Sequence, residues 1–191
     1  MRFENFKRFL DSIDNDLAII FDNQKEYLCC KEGCTLCCEQ GDYPLSRLEF
    51  DYLMYGFSQL DEERKELIRK NYLLIKDGNK DSYRCPFLVD KSCSLYDYRP
   101  FVCRAFGVLT NDAQGNPSYP FCTEEGLNYS RIYDKEKQHL SMELVLKNGY
   151  KVLPQFFNLS NSTLMNLPEI KDYGIEFGEA KKLIDFLEEV F

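Results

Sequence analysis

The distribution of cysteine constrains this chain more than any other feature of its sequence. The chain has nine cysteines and a single histidine among 191 residues. Five of the cysteines share one ten-residue window, and the full set is Cys29, Cys30, Cys34, Cys37, Cys38, Cys85, Cys93, Cys103 and Cys122. Residues 1–16 carry charges throughout and lack the apolar stretch of a signal peptide. We therefore expect a cytoplasmic protein, in which clustered thiols serve as metal ligands or redox groups rather than as disulfides.

Charge and hydropathy exclude two classes of partner. Thirty-two acidic against 24 basic residues give a formal charge of −8 and an isoelectric point near 4.8, whereas nucleic-acid binding depends on clustered positive charge. The sequence contains no run of about 18 apolar residues, the length that a membrane-spanning helix needs. We expect neither a nucleic acid nor a membrane as partner, and instead an unidentified protein or redox partner.

Apolar periodicity predicts a mainly α fold, organised as a single α-rich domain over residues 1–191 with an irregular cysteine-bearing core. Helices are predicted over 2–26, 47–56, 60–76, 133–147 and 177–190. The first follows from an apolar stripe along one face, and the second begins at a capping box formed by Ser46 and Glu49. Residues 81–122 lack helical periodicity, and residues 87–95 within them are compatible with one short hairpin.

The same periodicity predicts which side chains the later helices bury. For helix 60–76 the predicted face comprises Leu60, Arg64, Leu67, Ile68, Asn71, Leu74 and Ile75. For helix 133–147 it comprises Leu140, Leu144 and Val145. For helix 177–190 it comprises Ala180, Leu183, Ile184, Leu187 and Phe191. We expect these faces to pack into the core.

The first group of cysteines has the spacing of a metal site. Cys34 and Cys37 form a C-x2-C pair, whose sulfurs can converge on one ion, and Gly33 gives the backbone freedom to turn before them. The side chains of adjacent Cys37 and Cys38 are expected to diverge and so to serve different metals or different corners of one cluster. If the segment were helical, four of its cysteines would lie on one face of the helix. The alternative to metal binding is that these four cysteines are simply core residues.

The second group comprises Cys85, Cys93, Cys103 and Cys122. It supplies further thiolates from distant segments, which a tetrahedral site needs and which would tie the fold together on binding. Cys85 is followed by Pro86, as is the cysteine that closes the bacterial ferredoxin motif. Thiolates bind both zinc and iron–sulfur clusters, so the spacing leaves the metal open. The single histidine, His139, lies outside both groups and is expected on the predicted helix 133–147.

Two ordered motifs resemble those of the YkgJ-like cysteine-cluster family of zinc- or iron-chelating domain proteins. Residues 30–38, CKEGCTLCC, are similar to the family's CxxxCxxCC element. Residues 85–106, CPFLVDKSCSLYDYRPFVCRAF, are similar to its CPFL…CSIY…RPxxCR segment. The start of the second predicted helix also resembles the family's LTxxE element. The resemblance covers residues 30–122, the cysteine-cluster region of the chain.

The resemblance implies a set of eight cysteine ligands, namely Cys30, Cys34, Cys37, Cys38, Cys85, Cys93, Cys103 and Cys122. These suggest two four-sulfur sites, or one cluster plus a reserve dithiol. Cys29 is an extra thiol beside Cys30. Because thiolate-ligated zinc or a [4Fe–4S] cluster carries net negative charge, Arg99 and Arg104 are candidates to offset it through N–H···S bonds. Arg99 is equally suited to bind backbone carbonyls or Asp97.

These observations favour a metal-binding protein that holds an iron–sulfur cluster, with a redox or electron-transfer role. The alternative is a module that chelates Zn2+ for structural purposes and binds a partner protein. A third reading, suggested by a similar motif in flagellin lysine N-methylases, is a cluster-bearing part of a methylase-like system. The sequence contains no phosphate-binding loop that would indicate a nucleotide cofactor.

Overall fold

The computed structural model describes residues 2–40, 43–78, 83–112, 114–159, 164 and 166–191 of a mainly α chain. The α-helices are α1 (Arg2–Gln24), α2 (Leu36–Glu39), α3 (Arg47–Ser58), α4 (Glu62–Lys76), α5 (Phe101–Ala105), α6 (Met142–Lys147), α7 (Pro168–Asp172) and α8 (Leu183–Leu187). The strands are β1 (Pro44–Ser46), β2 (Leu88–Val89), β3 (Ser92–Cys93), β4 (Thr110–Asn111), β5 (Pro117–Ser118), β6 (Tyr133–Asp134), β7 (His139–Leu140) and β8 (Ala180–Lys182). Single 3₁₀ turns cover Lys25–Tyr27, Tyr96–Tyr98 and Phe121–Thr123.

The chain divides into two compact units, each made from two separate segments. Unit 1 comprises Met1–Lys31 and Ala105–Ile175, and unit 2 comprises Glu32–Arg104 and Glu176–Phe191. The single domain expected from the sequence stays a prediction. Among the helices of the described residues, none combines the length and the apolar character needed to cross a membrane.

Unit 1 contains the long helix α1, which confirms the prediction over 2–26. Its apolar stripe is buried, as the spacing of Phe6, Leu10, Ile13, Leu17 and Ile20 requires. A second buried cluster lies further along the chain and comprises Tyr27, Leu109, Tyr129, Ile132, Tyr133, Leu140 and Val145. Two short hairpins, β4–β5 and β6–β7, also belong to this unit.

Unit 2 is built around α3 and α4. The predicted capping box is present, because Ser46 Oγ accepts the Glu49 N–H while the Glu49 carboxylate accepts the Ser46 N–H. Strand β1, just before α3, pairs antiparallel with β8, with Leu45 opposite Lys181. Helix α8 then adds Ile184, Phe186 and Leu187 to a core that also includes side chains of α3 and α4.

The hairpin expected over 87–95 is also present. Leu88 pairs with Cys93 and Val89 with Ser92. The two linking residues, Asp90 and Lys91, have φ angles of 51° and 59°. Positive φ at both central residues is the geometry that lets a two-residue turn follow the twist of its strands.

The helix predicted over 133–147 is wrong for its first half. Residues 133–140 form hairpin β6–β7, and only α6 is helical. The Asp134 carboxylate accepts the N–H groups of Glu136 and Lys137, and Gln138 has a φ of 54°. This local side-chain turn competes with helix formation, so the helix begins only after Ser141, whose hydroxyl caps it.

Two further predictions are corrected by long-range packing. The helix expected over 177–190 is short, because Ala180–Lys182 is strand β8 and Ala180 is exposed. On α4 the buried side chains are Ile68, Tyr72 and Ile75, whereas Leu74, placed on the predicted buried face, is 75% exposed. Both differences arise because partners distant in sequence, rather than local periodicity, decide the buried face.

Candidate metal centre

In unit 2, the short helix α2 presents two adjacent thiols. Thr35 is its N-cap, and the Cys37 and Cys38 sulfurs lie 3.9 Å apart. The expectation that these two side chains diverge is therefore wrong, since they contact each other. One helical turn is too short to form the four-cysteine stripe, because only Leu36–Glu39 is helical.

Three more cysteines of unit 2 lie close to this pair. The Cys85 N–H donates to the Cys38 carbonyl at 2.6 Å, which joins the two cysteine motifs through the backbone. Cys93 follows on strand β3, and Cys103 lies on α5. Cys85 and Cys93 also pack against the apolar core of unit 2.

Burial and the charges of neighbouring thiols shift the pKa values of these cysteines. Burial raises the pKa of the Cys85 thiol to about 12, and the charges of Cys93 and Cys37 add to the shift. The pKa of Cys103 is raised by burial and then by the charges of Cys85, Cys93 and Cys37. With Cys38 as donor, the hydrogen bond between the adjacent thiols lowers the pKa of Cys37 to about 7 and raises that of Cys38.

These pKa shifts reflect the burial of the thiols and their proximity to one another. The five sulfurs interact electrostatically, yet four of them are disfavoured as thiolates by their surroundings. A bound cation removes such protons and supplies the missing charge. In the part of the chain that the structure describes, no three His, Cys, Asp or Glu side chains already stand in the arrangement of a metal site. The donor set is nevertheless of the chemistry that zinc and iron–sulfur clusters use.

The charge of Arg99 acts on this group of thiols. Its charge opposes the burial that raises the pKa of Cys93, and it acts in the same direction on Cys37 and Cys103. The guanidinium stacks 3.4 Å from the centre of the Tyr96 ring, and its Nε donates to the Tyr96 carbonyl. The expected contact of Arg99 with a backbone carbonyl is therefore present, whereas its N–H···S bonds stay a prediction.

Arg104 is buried, and its guanidinium donates hydrogen bonds to backbone carbonyls. Its Nε donates to the Arg99 carbonyl at 2.8 Å, and its Nη2 donates to the Asp97 carbonyl at 2.6 Å. The fork of its guanidinium thus ties the 3₁₀ turn Tyr96–Tyr98 to helix α5, which carries Cys103. These described bonds go to carbonyl oxygens rather than to sulfur.

Glu49 links helix α3 to helix α5, which carries Cys103. One carboxylate oxygen accepts the N–H and hydroxyl of Ser46, each at 2.7 Å. The other accepts the Phe101 N–H at 2.8 Å, at the first residue of α5. The sequence pattern predicted the cap on α3, whereas the bond to α5 depends on tertiary structure.

Unit 1 holds Cys30 and Cys122 of the predicted set, together with Cys29. Cys122 is buried on the turn Phe121–Thr123, and Cys29 and Cys30 follow the end of the first helical segment. Cys30 and Cys122 both add to the rise that burial causes in the pKa of Tyr129, so both lie near that ring. Cys34 lies exposed before α2 in unit 2. The eight predicted ligands are thus distributed over both units.

Asn128 is the polar residue that sequence reasoning missed. Its Nδ2 donates to Cys30 Sγ at 3.1 Å, and its Oδ1 accepts the Cys29 N–H at 2.7 Å. The only local signal was a glycosylation-type triplet with Ser130, which says nothing about thiols. His139, in contrast, lies exposed on β7, and its Nδ1 is 3.4 Å from the Lys137 carbonyl.

Comparison with known families gives one match. The family model described as "CxxCxxCC: Putative zinc- or iron-chelating domain" matches residues 29–123. The matched segment contains all nine cysteines, the hairpin β2–β3, Arg99 and Arg104. Comparison with curated proteins and with solved structures found no match.

Proposed function

Through residues 29–123 this chain belongs to the CxxCxxCC family of zinc- or iron-chelating domains, and we propose that it is a redox protein holding an iron–sulfur cluster. The observation that carries the proposal is the group of five interacting thiols in unit 2. These are Cys37, Cys38, Cys85, Cys93 and Cys103. Cys30, Cys34 and Cys122 complete the proposed set of eight ligands.

Two features of unit 2 favour a cluster. Its candidate ligands are all sulfur, the preference of iron–sulfur centres. A cluster with four thiolates is anionic, and Arg99 supplies a positive charge that already acts on Cys37, Cys93 and Cys103. Solvent exposure and nearby charge set the potential of such a centre.

An iron–sulfur cluster, when bound, supplies one-electron transfer. The residues of unit 2 have supporting roles. The apolar core against which Cys85 and Cys93 pack limits the access of water to the sulfurs. Arg104 keeps the turn bearing Arg99 against α5 through its two carbonyl bonds. We therefore propose a role in electron transfer, or as the redox part of an enzyme, with a protein as partner.

Structural zinc is the second candidate, and one observation favours it. Cys85 precedes a tight hairpin whose two central residues have positive φ, and Cys93 lies on its second strand. Such a compact turn can supply two sulfur ligands from nearby positions of the backbone. Zinc held by four such thiolates would stabilise unit 2 without redox chemistry, leaving a surface free to bind a partner.

Elemental analysis separates the two candidates. The full chain is purified without oxygen and without added metal, and iron, acid-labile sulfide and zinc are counted per chain. About four iron with matching sulfide supports the cluster, whereas zinc without sulfide supports the structural module. Cys93→Ser and Cys103→Ser are expected to lose most of the metal. Cys29→Ser, the matched control outside the proposed ligand set, is expected to keep it. A wild-type chain with neither metal contradicts both candidates.

A further inference from the structure

Asn128 is a buried asparagine whose side-chain oxygen and nitrogen are both hydrogen-bonded. It is 1% exposed, and each of its amide hydrogens has a described acceptor. Nδ2 donates to Cys30 Sγ at 3.1 Å and to the Gly107 carbonyl at 3.0 Å. Oδ1 accepts the Cys29 N–H at 2.7 Å. One side chain thus holds the backbone of one cysteine and the sulfur of the next.

The residue after Asn128 is fixed in an uncommon conformation. Tyr129 has a φ of 60°, which side chains larger than glycine rarely adopt. Its N–H donates to the Tyr27 carbonyl, and its hydroxyl donates to Gln24 Oε1 at 2.5 Å. Gln24 is itself fully buried. Such strain persists only where the surroundings determine it, and here it aims the Asn128 amide at the thiol.

Gly107 provides the space for this contact. It has a φ of 104°, and a Cβ atom there would lie 3.0 Å from Asn128 Nδ2 and 3.1 Å from Cys30 Sγ. Any other residue would be strained by its backbone and would press on both partners. Three separate segments of unit 1 therefore meet at the Cys30 sulfur, each with a geometry that leaves the N–H···S bond intact.

We propose that Asn128 is a positioning residue, which holds the sulfur of Cys30, and not that of Cys29, as a metal ligand. The inference rests on the proposed function, since it requires that the chain binds metal. The N–H···S bond orients the sulfur and offsets part of its negative charge when it coordinates. Outer hydrogen bonds of this kind set metal affinity, and their loss costs about 10–100-fold in affinity. Cys29 contributes only its backbone N–H to the arrangement.

The test uses the full chain, freed of metal and titrated with Co2+ in competition with a chelator, with thiolate-to-cobalt absorption as a second readout. Asn128→Asp keeps the acceptor for the Cys29 N–H and removes the donor to the Cys30 sulfur and to the Gly107 carbonyl. We expect it to weaken Co2+ binding about 10–100-fold. Asn148→Asp is the matched control, because Asn148 is exposed and donates only to the carbonyls of Arg131 and Leu144. It is expected to bind Co2+ as the wild type does.

Two further variants separate positioning from folding. In a Cys30→Ser background, Asn128→Asp is expected to have no additional effect on Co2+ binding, because the sulfur through which it acts is absent. An equal loss in both backgrounds would overturn the inference. Cys30→Ser alone is expected to reduce the thiolate-to-cobalt absorption, and Cys29→Ser is not. This second comparison holds even if Asn128→Asp does not fold.

The outcomes distinguish this inference from the proposed function. If Cys30→Ser binds Co2+ as the wild type does while Cys93→Ser does not, the inference about Asn128 fails and the proposed function stands. If Cys29→Ser loses as much absorption as Cys30→Ser, the inference also fails. If the wild-type chain binds no metal at all, both fail.

Discussion

Removal of the Glu49 carboxylate is the perturbation whose effect the structure defines best. In Glu49→Ala, the Ser46 N–H and hydroxyl lose one acceptor and the Phe101 N–H loses the other. The hydroxyl of Ser46 can still accept the backbone N–H of residue 49, at 3.3 Å, so half of the capping box remains. The Phe101 amide has no comparable replacement at the start of α5.

The expected loss follows from these contacts. Loss of the acceptor for the Ser46 N–H and hydroxyl costs about 1 kcal/mol. A buried donor that loses its acceptor costs about 1–3 kcal/mol, and since Phe101 is only half-buried the lower part of that range applies. We therefore expect Glu49→Ala to lower the stability of unit 2 by about 2–3 kcal/mol, combining these two effects. Glu49→Gln keeps one acceptor oxygen and should lose about half as much.

Hydrogen exchange measures this loss where it occurs. The Phe101 amide is expected to exchange faster in Glu49→Ala by about 30- to 150-fold, the equivalent of 2–3 kcal/mol, if it exchanges by opening of unit 2. Glu66→Ala is the control, because Glu66 is exposed and pairs only loosely with Arg69, at 3.6 Å. Its effect should stay below about 0.5 kcal/mol. Equal exchange of the Phe101 amide in Glu49→Ala and Glu66→Ala would refute the linking role of Glu49.

Three other substitutions give further tests. Gly56→Ala should destabilise unit 2 by about 1–3 kcal/mol, because the added Cβ would lie 2.3 Å from Tyr98 Cγ; an unchanged urea midpoint would contradict this. Arg104→Lys should cost about 1–3 kcal/mol in thermal unfolding, since an ammonium cannot reach both carbonyls that the fork now binds; a wild-type melting temperature would count against the backbone role. His139→Ala should leave iron and zinc per chain unchanged, because the ring is exposed on β7; metal loss would reopen the ligand set.

Local signals predicted much of the fold. The stripe on α1, the Ser46–Glu49 box and the hairpin at 87–95 all depend on residues a few positions apart, and all are present. The failures share the opposite property. Strand β8 exists because Lys181 pairs with Leu45, and no periodicity within 177–190 carries that information. The prediction of a helix over 133–147 was wrong in its first half because the Asp134 carboxylate accepts a backbone N–H and stabilises a turn there.

The candidate site divides in the same way. The resemblance of two cysteine motifs to a known family implied the proposed ligands, and five of these thiols influence one another's pKa values in unit 2. The supporting contacts could not be predicted, because Asn128 acts on a sulfur 98 positions away and Glu49 on an amide 52 positions away. The contact between Cys37 and Cys38 also escaped prediction, since it depends on a single turn of helix that the sequence did not mark.

The pairing of β1 with β8 has a consequence for how the chain is made. Arg47 Nη1 donates to Glu189 across 142 positions, so unit 2 cannot close before residues 176–191 have been synthesised. Ribosomes add about 5–20 residues per second, so roughly 4–17 s separate the synthesis of Cys103 from the last strand and helix of its unit. During that interval six cysteines of unit 2 are attached to the ribosome without their completed core. Cofactor delivery to the proposed centre is thus expected to follow the synthesis of residues 176–191, and an earlier supply of metal would meet an unfinished unit 2.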